Sequence, residues 1–354
     1  MKSMRNMSIS KTMRAVQLVA YKQPLEVREV PVPEPRGENV LVRIAGSGLC
    51  HSDLHLMEGE VPIIPSFPFT LGHENAGTVA ALGPDAEVFH VGDPVVVFGG
   101  WSVKSDRFTN GGQEQLSDVT KWVGIGQPGG YAEYLLVPSY RYLLPAYGLD
   151  LAEAAALTDA GLTPYRAIKK LVPAIYPGST VVIIGTGGLG QFGVQYAKLL
   201  LPAGTTVVAV DVDNRKLEIA RDLGADVVIN SRDEDPVQRI KDITGSEGAQ
   251  GIVDFVGADA TLRQAYYSAG RQARVVIVGL AGGTLPFNTQ ILNEAEVTTS
   301  SWGNIQELSE VLALASKGLL RTRIQRIGFN DMNQTFERLA HGQIEGRAVL
   351  VPES

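Results

Sequence analysis

The sequence predicts an α/β protein of two domains, an irregular β-barrel followed by a doubly wound parallel sheet. Three observations carry that prediction. Brief β-rich runs broken by Gly and Pro fill the chain from Met13 to about Pro145. Beyond Thr180, unbroken apolar runs alternate with helical patterns, which is how parallel strands buried on both faces read. The length of 354 residues fits two units, at about 150 residues per domain.

In chain order, the first β-rich runs are residues 14–19, 25–30, 40–44, 76–79, 94–97 and 132–137. Pro31, Pro33, Pro35 and Gly37 make a turn-rich break among them. This half reads as a barrel whose loops carry Cys50 and His73. Residues 152–170 read as helical segments interrupted near Gly161 and Pro164. Strands follow at 180–184, 206–210, 227–229, 252–256 and 274–278, with helices at 189–201, 214–223, 237–243 and 260–268. Residues 297–301 close that sheet. Helices at 306–317 and 332–341 and a strand at 347–351 are too few to enclose a core, so they return to the first domain. The domain boundaries are thus 13–161, 162–305 and a return over 306–354, with residues 1–12 a disordered extension.

Composition narrows the function classes. Hydrophobic residues at 44% and charged residues at 19% suit a soluble globular chain with a sizeable core. A net charge of -7 gives no reason to expect nucleic acid or an anionic membrane as partner. No apolar run reaches the length of a bilayer span, and the first residues lack the apolar stretch of a secretory signal. Cys50 is the sole cysteine, so no intramolecular disulfide forms, in keeping with a reducing cytoplasm.

Gly185, Gly187 and Gly190 fit G-x-G-x-x-G between a predicted strand and a predicted helix. The first allows a tight turn, the second lets backbone approach a pyrophosphate, and the third lets helix pack on strand. The helix N-terminus adds amide donors and partial positive charge. Alone the pattern is weak. Asp211 strengthens it, ending the next strand about twenty residues on, where a carboxylate binds ribose hydroxyls and repels a 2′-phosphate. That favours NAD over NADP; the alternative for Asp211 is a strand-end helix cap. Lys216 either adds a ribose contact or lies on a solvated helix face.

Cys50 opens a second constellation. Cys50-His51-Ser52-Asp53 and Gly72-His73-Glu74 offer a thiolate and an imidazole, the donor types a soft divalent metal takes. A catalytic zinc needs a third protein ligand and an open position, and Asp159 is the carboxylate candidate. Singly, Cys50 reads as a small buried hydrophobe and His73 as a hydrogen-bonded loop histidine. Asp53 is placed to fix the His73 tautomer. Glu74 is a transient ligand or a nearby charge.

These residues together resemble the zinc-dependent medium-chain alcohol dehydrogenases, from Met13 to the end, including the closing Gly346-Arg347-Ala348-Val349. The resemblance implies a chaperonin-10-like (GroES-like) catalytic domain and a Rossmann domain with the active-site cleft between them. It implies catalytic zinc on Cys50, His73 and Asp159, the aspartate being typical of a bacterial branch acting on secondary alcohols. Ser52 would hydrogen-bond the substrate oxygen, and His55 is either the outer histidine of a proton relay or a surface histidine. His51 and Arg347 match positions touching the pyrophosphate, with Gly188 and Leu189 inside the glycine turn. Thr163 matches one beside the nicotinamide; Gly257 and Val278 fall where the chain passes the cofactor.

One departure stands out. Many members hold a structural zinc on four cysteines, and the matching positions here are Val103, Asp106, Thr109 and Ser117. None is a thiol, so one zinc per subunit is expected, with Trp101, Phe108 and Trp122 packing the lobe. Leu54, Leu56, Met57, Trp122 and Trp302 are expected to wall an apolar substrate pocket. The reading is an alcohol dehydrogenase working with NAD(H), on primary or secondary alcohols. The competing readings are a polyol, amino-alcohol or aldehyde dehydrogenase, and a nucleotide-binding protein without turnover. The exposed edge strand at 297–301 suggests a dimer, or a tetramer built from dimers.

Overall fold

The computed structural model describes residues 9–352 except Val61, Val103, Val119, Pro286 and residues 289–293. The expected extension lies outside the described residues as far as position 8, and Thr12 already belongs to the first strand. The chain divides into two compact units. The first holds the chain up to Thr158, Asn304–Lys317 and the stretch from Thr322; the second holds Asp159–Gly303 and Gly318–Arg321.

The first unit begins with β1 (Thr12–Leu18), β2 (Glu26–Pro31) and β3 (Val40–Gly48). Helix α1 (His51–Glu58) follows, where the sequence suggested a loop. Its pattern is too polar and short to announce itself, and cysteine is an unusual N-cap. Its ends explain it. The Asp53 carboxylate reaches back to the Cys50 N–H at 3.0 Å, one half of a capping box. Gly59 then takes φ 74° and ends the helix in the left-handed region, where a side chain is disfavoured.

Next come β4 (Phe69–Thr70), β5 (Glu74–Leu82), β6 (Pro94–Val97), β7 (Gly100–Ser102), α2 (Arg107–Asn110), β8 (Thr120–Trp122), β9 (Tyr134–Val137) and β10 (Leu143–Pro145). Helix α3 (Leu151–Ala156) packs on β3, β5 and β6. A π-helical turn, Leu157–Gly161, carries the chain into α4 (Leu162–Leu171). The predicted interruption at Gly161 and Pro164 is therefore corrected: the helix runs on through a widened turn. Pro164 falls just past that widened turn, three residues into α4.

The second unit is a six-stranded parallel sheet with intervening helices. Its elements are β11 (Thr180–Ile184), α5 (Gly190–Leu200), β12 (Thr206–Asp211), α6 (Asn214–Asp222), β13 (Val227–Asn230) and α7 (Pro236–Ile243). They continue with β14 (Ala249–Asp254), α8 (Asp259–Ser268), β15 (Ala269–Ile277) and β16 (Glu296–Thr299). The strand order is β13-β12-β11-β14-β15-β16, so the winding reverses between β11 and β14. Every residue of β11 is buried, as a strand covered on both faces requires. The expected strand at 252–256 ends at Asp254, because residues 255–257 turn away at the reversal.

The return to the first unit adds α9 (Ile305–Ser316), β17 (Ile324–Ile327), α10 (Met332–Ala340) and β18 (Arg347–Leu350). Strand β18 inserts between β17 and β3, completing the order β10-β6-β5-β3-β18-β17, with β9 also on β3. A second sheet runs β2-β1-β4. Leu18, Leu49, Leu71, Tyr131, Met332, Phe336 and Leu350 form one core cluster, so the returning segment supplies part of the first unit's interior. No described helix is long and apolar enough to cross a membrane.

Candidate metal and dinucleotide sites

Strand register gathers the first site. Gly48 of β3 pairs antiparallel with Glu74 of β5 and with Val349 of β18. The exit of β3 and the entries of β5 and β18 therefore share one end of the sheet. Cys50, His73 and Arg347 emerge there. Asp159 follows α3 by three residues in the same helical run, so the strand-packed α3 sets where its carboxylate stands.

Cys50, His73, Glu74 and Asp159, all buried, each bring one ligand atom to within 4.8 Å of the others. Thiolate, imidazole and carboxylate are zinc's usual ligand types, so the donor set fits that ion. Asp53, wholly buried, holds Oδ1 3.3 Å from His73 Nδ1. Its Oδ2 accepts from the Cys50 amide at 3.0 Å and from the Tyr131 hydroxyl at 2.7 Å. Burial, then the Asp53 charge, push the Tyr131 phenol well above its ordinary range, so it stays a donor. Glu74 accepts from the Arg347 guanidinium in a pair that is itself buried. Thr163 donates its hydroxyl to Asp159 Oδ1 at 2.5 Å.

The remaining sequence-selected residues divide. Ser52 lies on the first turn of α1 with Oγ 3.7 Å from Cys50 Sγ. His51 is exposed at the start of that helix. His55 is part-exposed and pairs Nδ1 with Glu60 Oε2 at 2.5 Å. Leu54 and Met57 are half-buried against the core cluster, while Leu56 belongs to it at 3% exposure. Leu56 is therefore core, not pocket wall. Trp122, on β8, meets Phe98 edge-on at 6.4 Å. Trp302 is half-buried and holds φ 47°, uncommon for a bulky side chain.

At the structural-zinc positions, Val103 lies outside the described residues. The other three are joined by hydrogen bonds. Asp106 caps α2 through the Phe108 and Thr109 amides at 2.9 and 2.8 Å, and accepts from Ser117 Oγ at 2.6 Å. The Thr109 hydroxyl receives the Asp106 N–H at 2.9 Å. Trp101 is buried nearby in sequence, with Nε1 donating to Phe98 O at 2.8 Å.

In the second unit the glycine turn follows β11 at the reversal, where doubly wound sheets bind nucleotides. Gly185 takes φ 82°, and a Cβ there would stand 2.6 Å from Val256 Cγ2. A Cβ on Gly187 would meet nothing within 4 Å, leaving its backbone open to a ligand. A Cβ on Gly190 would overlap the Gly185 carbonyl, so only glycine lets α5 start that close. Gly188 stands half-buried within the turn, and Leu189 is the N-cap of α5.

Asp211 Oδ2 accepts from the Thr186 amide at 2.7 Å and its hydroxyl at 3.1 Å, tying the glycine turn to β12. Its Oδ1 accepts from the Val212 and Asp213 amides, while Asp213, not Asp211, caps α6. Arg215 chiefly, with Lys216 adding its charge, holds the Asp213 carboxyl below its ordinary range. Val278, just past β15, donates its amide to Asp254 O at 2.9 Å. Gly257 takes φ 72° against the Gly279 backbone, and its amide meets Asp254 Oδ1 at 3.1 Å.

Tyr131 and Asp254 were missed from sequence. The only trace of Tyr131 was an aromatic directly after Gly129-Gly130, and Asp254 sat inside a predicted strand end.

Comparison with known proteins agrees with both halves. Residues 36–147 match the Alcohol dehydrogenase GroES-like domain, and residues 188–317 match Zinc-binding dehydrogenase. The chain is 36% identical over 352 residues to an NAD-dependent alcohol dehydrogenase of Sulfurisphaera tokodaii, covering 96% of this chain and 100% of that one. It is 32% identical over 355 residues to D-arabinose 1-dehydrogenase (NADP(+)) of Saccharolobus solfataricus, covering 99% and 100%. The crystal structure of the alcohol dehydrogenase from Aeropyrum pernix superposes with a TM-score of 0.89 at 37% identity, covering 96% of this chain and 100% of that one. The chain belongs to the zinc-type medium-chain alcohol dehydrogenases. It is an oxidoreductase of that family, with a GroES-like unit and a Rossmann-type unit.

Proposed function

We propose that this chain transfers a hydride reversibly between a primary or secondary alcohol, aliphatic or aromatic, and NAD, giving the aldehyde or ketone. One zinc ion per subunit would be held by Cys50, His73 and Asp159, with Glu74 in reserve on Arg347. The observation that carries this is the convergence of a buried thiol, imidazole and two carboxylates within 4.8 Å. Three ligands and an open position make a catalytic zinc site. When bound, zinc would supply the charge that acidifies an alcohol hydroxyl, and NAD the hydride acceptor.

The chain's own residues do the rest. Ser52, beside Cys50, receives the alcohol proton and passes it to His55, three residues along α1. Glu60, whose Oε2 lies 2.5 Å from His55 Nδ1, holds that ring in place. Leu54, Met57, Trp122 and Trp302 give apolar contact to the carbon skeleton. The turn at Gly185, Gly187, Gly188, Leu189 and Gly190 binds the pyrophosphate with His51 and Arg347. Asp211 takes the ribose hydroxyls, with Lys216 beside them. Thr163, Gly257 and Val278 contact the nicotinamide half. The edge position and exposure of Val297 on β16 support pairing with a second copy, as a dimer or a tetramer of dimers.

Metal analysis and mutagenesis test the reading together. About one zinc per subunit is expected, and Cys50→Ser or His73→Ala should abolish turnover while NADH still binds. No zinc in active protein, or wild-type rate in either variant, would sink it. Two zincs would contradict the lobe argument. The similarity to D-arabinose 1-dehydrogenase (NADP(+)) supports a second reading, a sugar or polyol substrate. Rates across a substrate panel with both coenzymes separate the two.

A further inference from the structure

We propose that Tyr131 is a positioning residue for the metal cluster: its hydroxyl fixes the Asp53 carboxylate, which in turn sets the ring of His73. The inference rests on the zinc reading above. Asp53 is 0% exposed: Oδ1 lies at ion-pair distance, 3.3 Å, from His73 Nδ1, and Oδ2 takes the Cys50 N–H and the Tyr131 O–H. One carboxylate thus links the backbone of one ligand to the side chain of another. Donors on its oxygens hold a buried carboxylate in orientation, and among the described residues the tyrosine is the side-chain donor to Oδ2. The same hydroxyl stands 3.1 Å from Gly48 O. With one proton to give, it favours the charged partner at 2.7 Å.

The donor is fixed independently of Asp53. The ring is wholly buried in the core cluster and meets Phe336 edge-on at 6.2 Å. The Tyr131 amide donates to Leu71 O at 3.0 Å, and its carbonyl accepts from Val16 N at 2.7 Å. Gly72, just before His73, has φ 102° and leaves the space the ring fills: a Cβ there would lie 2.6 Å from Tyr131 Cδ1. The loop that turns the chain into His73 is therefore built around the same ring whose hydroxyl holds Asp53. A phenol that only filled the core would have no need to point at the carboxylate behind a ligand.

Cobalt titration of the metal-free protein reads this directly, through thiolate-to-cobalt absorption and chelator competition. Tyr131→Phe keeps the ring and should raise the Co2+ dissociation constant about tenfold, the scale for loss of a group supporting a metal ligand. In an Asp53→Asn background the same substitution should change it less than twofold. In 15N-histidine spectra of the metal-free protein, His73 should hold one tautomer in the wild type and average in Tyr131→Phe. Equal Co2+ affinity and an unchanged His73 spectrum in Tyr131→Phe would overturn the inference. So would an equal loss in the Asp53→Asn background, which would mark the tyrosine as merely structural. If wild-type protein takes up no Co2+, the zinc reading fails instead, and the His73 spectra still decide the role of Tyr131.

Discussion

Replacing Gly48 with alanine should test how the metal-side carboxylate is seated. An added Cβ would stand 2.8 Å from Glu74 Cδ and 3.0 Å from Glu74 Cβ, and would overlap one carboxylate oxygen. Carbon atoms in contact rest at about 3.5–4.0 Å, so Glu74 must yield by roughly half to one ångström. If the surroundings absorb that as strain, the cost is about 1–3 kcal/mol. If Glu74 leaves Arg347, two charges that are 0% and 4% exposed lose each other, which costs about 3–5 kcal/mol. A displacement of that size exceeds what a charged hydrogen bond tolerates. The expected loss is therefore about 3 kcal/mol, where the two ranges meet. Urea unfolding of metal-free protein measures it. The decisive comparison is the same substitution in a Glu74→Ala background, where the obstructing atoms are gone and the cost should fall below about 1 kcal/mol. An equal loss in both backgrounds would refute the reasoning.

Three further outcomes are expected. Tyr196 is wholly buried and its hydroxyl meets no hydrogen-bond partner among the described residues, so Tyr196→Phe should be neutral or stabilising by about 1 kcal/mol in urea; a clear loss would expose a hidden partner. Ser117 foremost, with the Thr109 amide, lowers the Asp106 carboxyl below its ordinary 3.8. A lowered value means the stabilisation is present above that ordinary value and is lost as pH falls below it. The Phe108 and Thr109 amides should therefore show lower protection, each rate taken relative to its intrinsic rate at that pH, at pH 3 than at pH 5, with Ser117→Ala shrinking the difference. Burial raises the Asp254 carboxyl, although the Val256 and Gly257 amides oppose it. A raised value means stability is full below the ordinary range and lost as pH rises through the folded value. Asp254→Asn keeps the Oδ1 acceptor, so it should gain on the wild type between pH 4 and pH 8 in urea midpoints; a constant gap would contradict this.

The second unit was the more legible because its signals are local. Runs such as Thr180–Ile184 are apolar throughout since helices cover both sheet faces, and Gly185 to Gly190 declare themselves by spacing alone. The first unit mixes short strands with long loops, and its decisive contacts join distant residues. Strand β17 escaped notice because Gln325 and Arg326 interrupt its apolar character. Cys50, His73 and Asp159 could be selected by chemical type and resemblance, but nothing local shows that Gly48 pairs with Glu74 and so brings their neighbours to one sheet end. Tyr131 lies far along the chain from Asp53, in a segment without periodicity, and the ring fits only because Gly72 carries no Cβ. Leu56 read as pocket lining because periodicity cannot distinguish an inward helix face from a ligand-facing one.

The π-helical turn at Leu157–Gly161 makes Asp159 depend on residue count as well as residue type. Such a turn holds one residue more than ordinary α-helical closure needs. Deleting Thr158 would let the backbone relax to α spacing and swing the Asp159 carboxylate roughly 100° about the helix axis relative to α3. An alanine scan leaves that geometry intact and would report only side-chain losses. Single-residue deletions and compensating insertions along the segment are what reveal its phase.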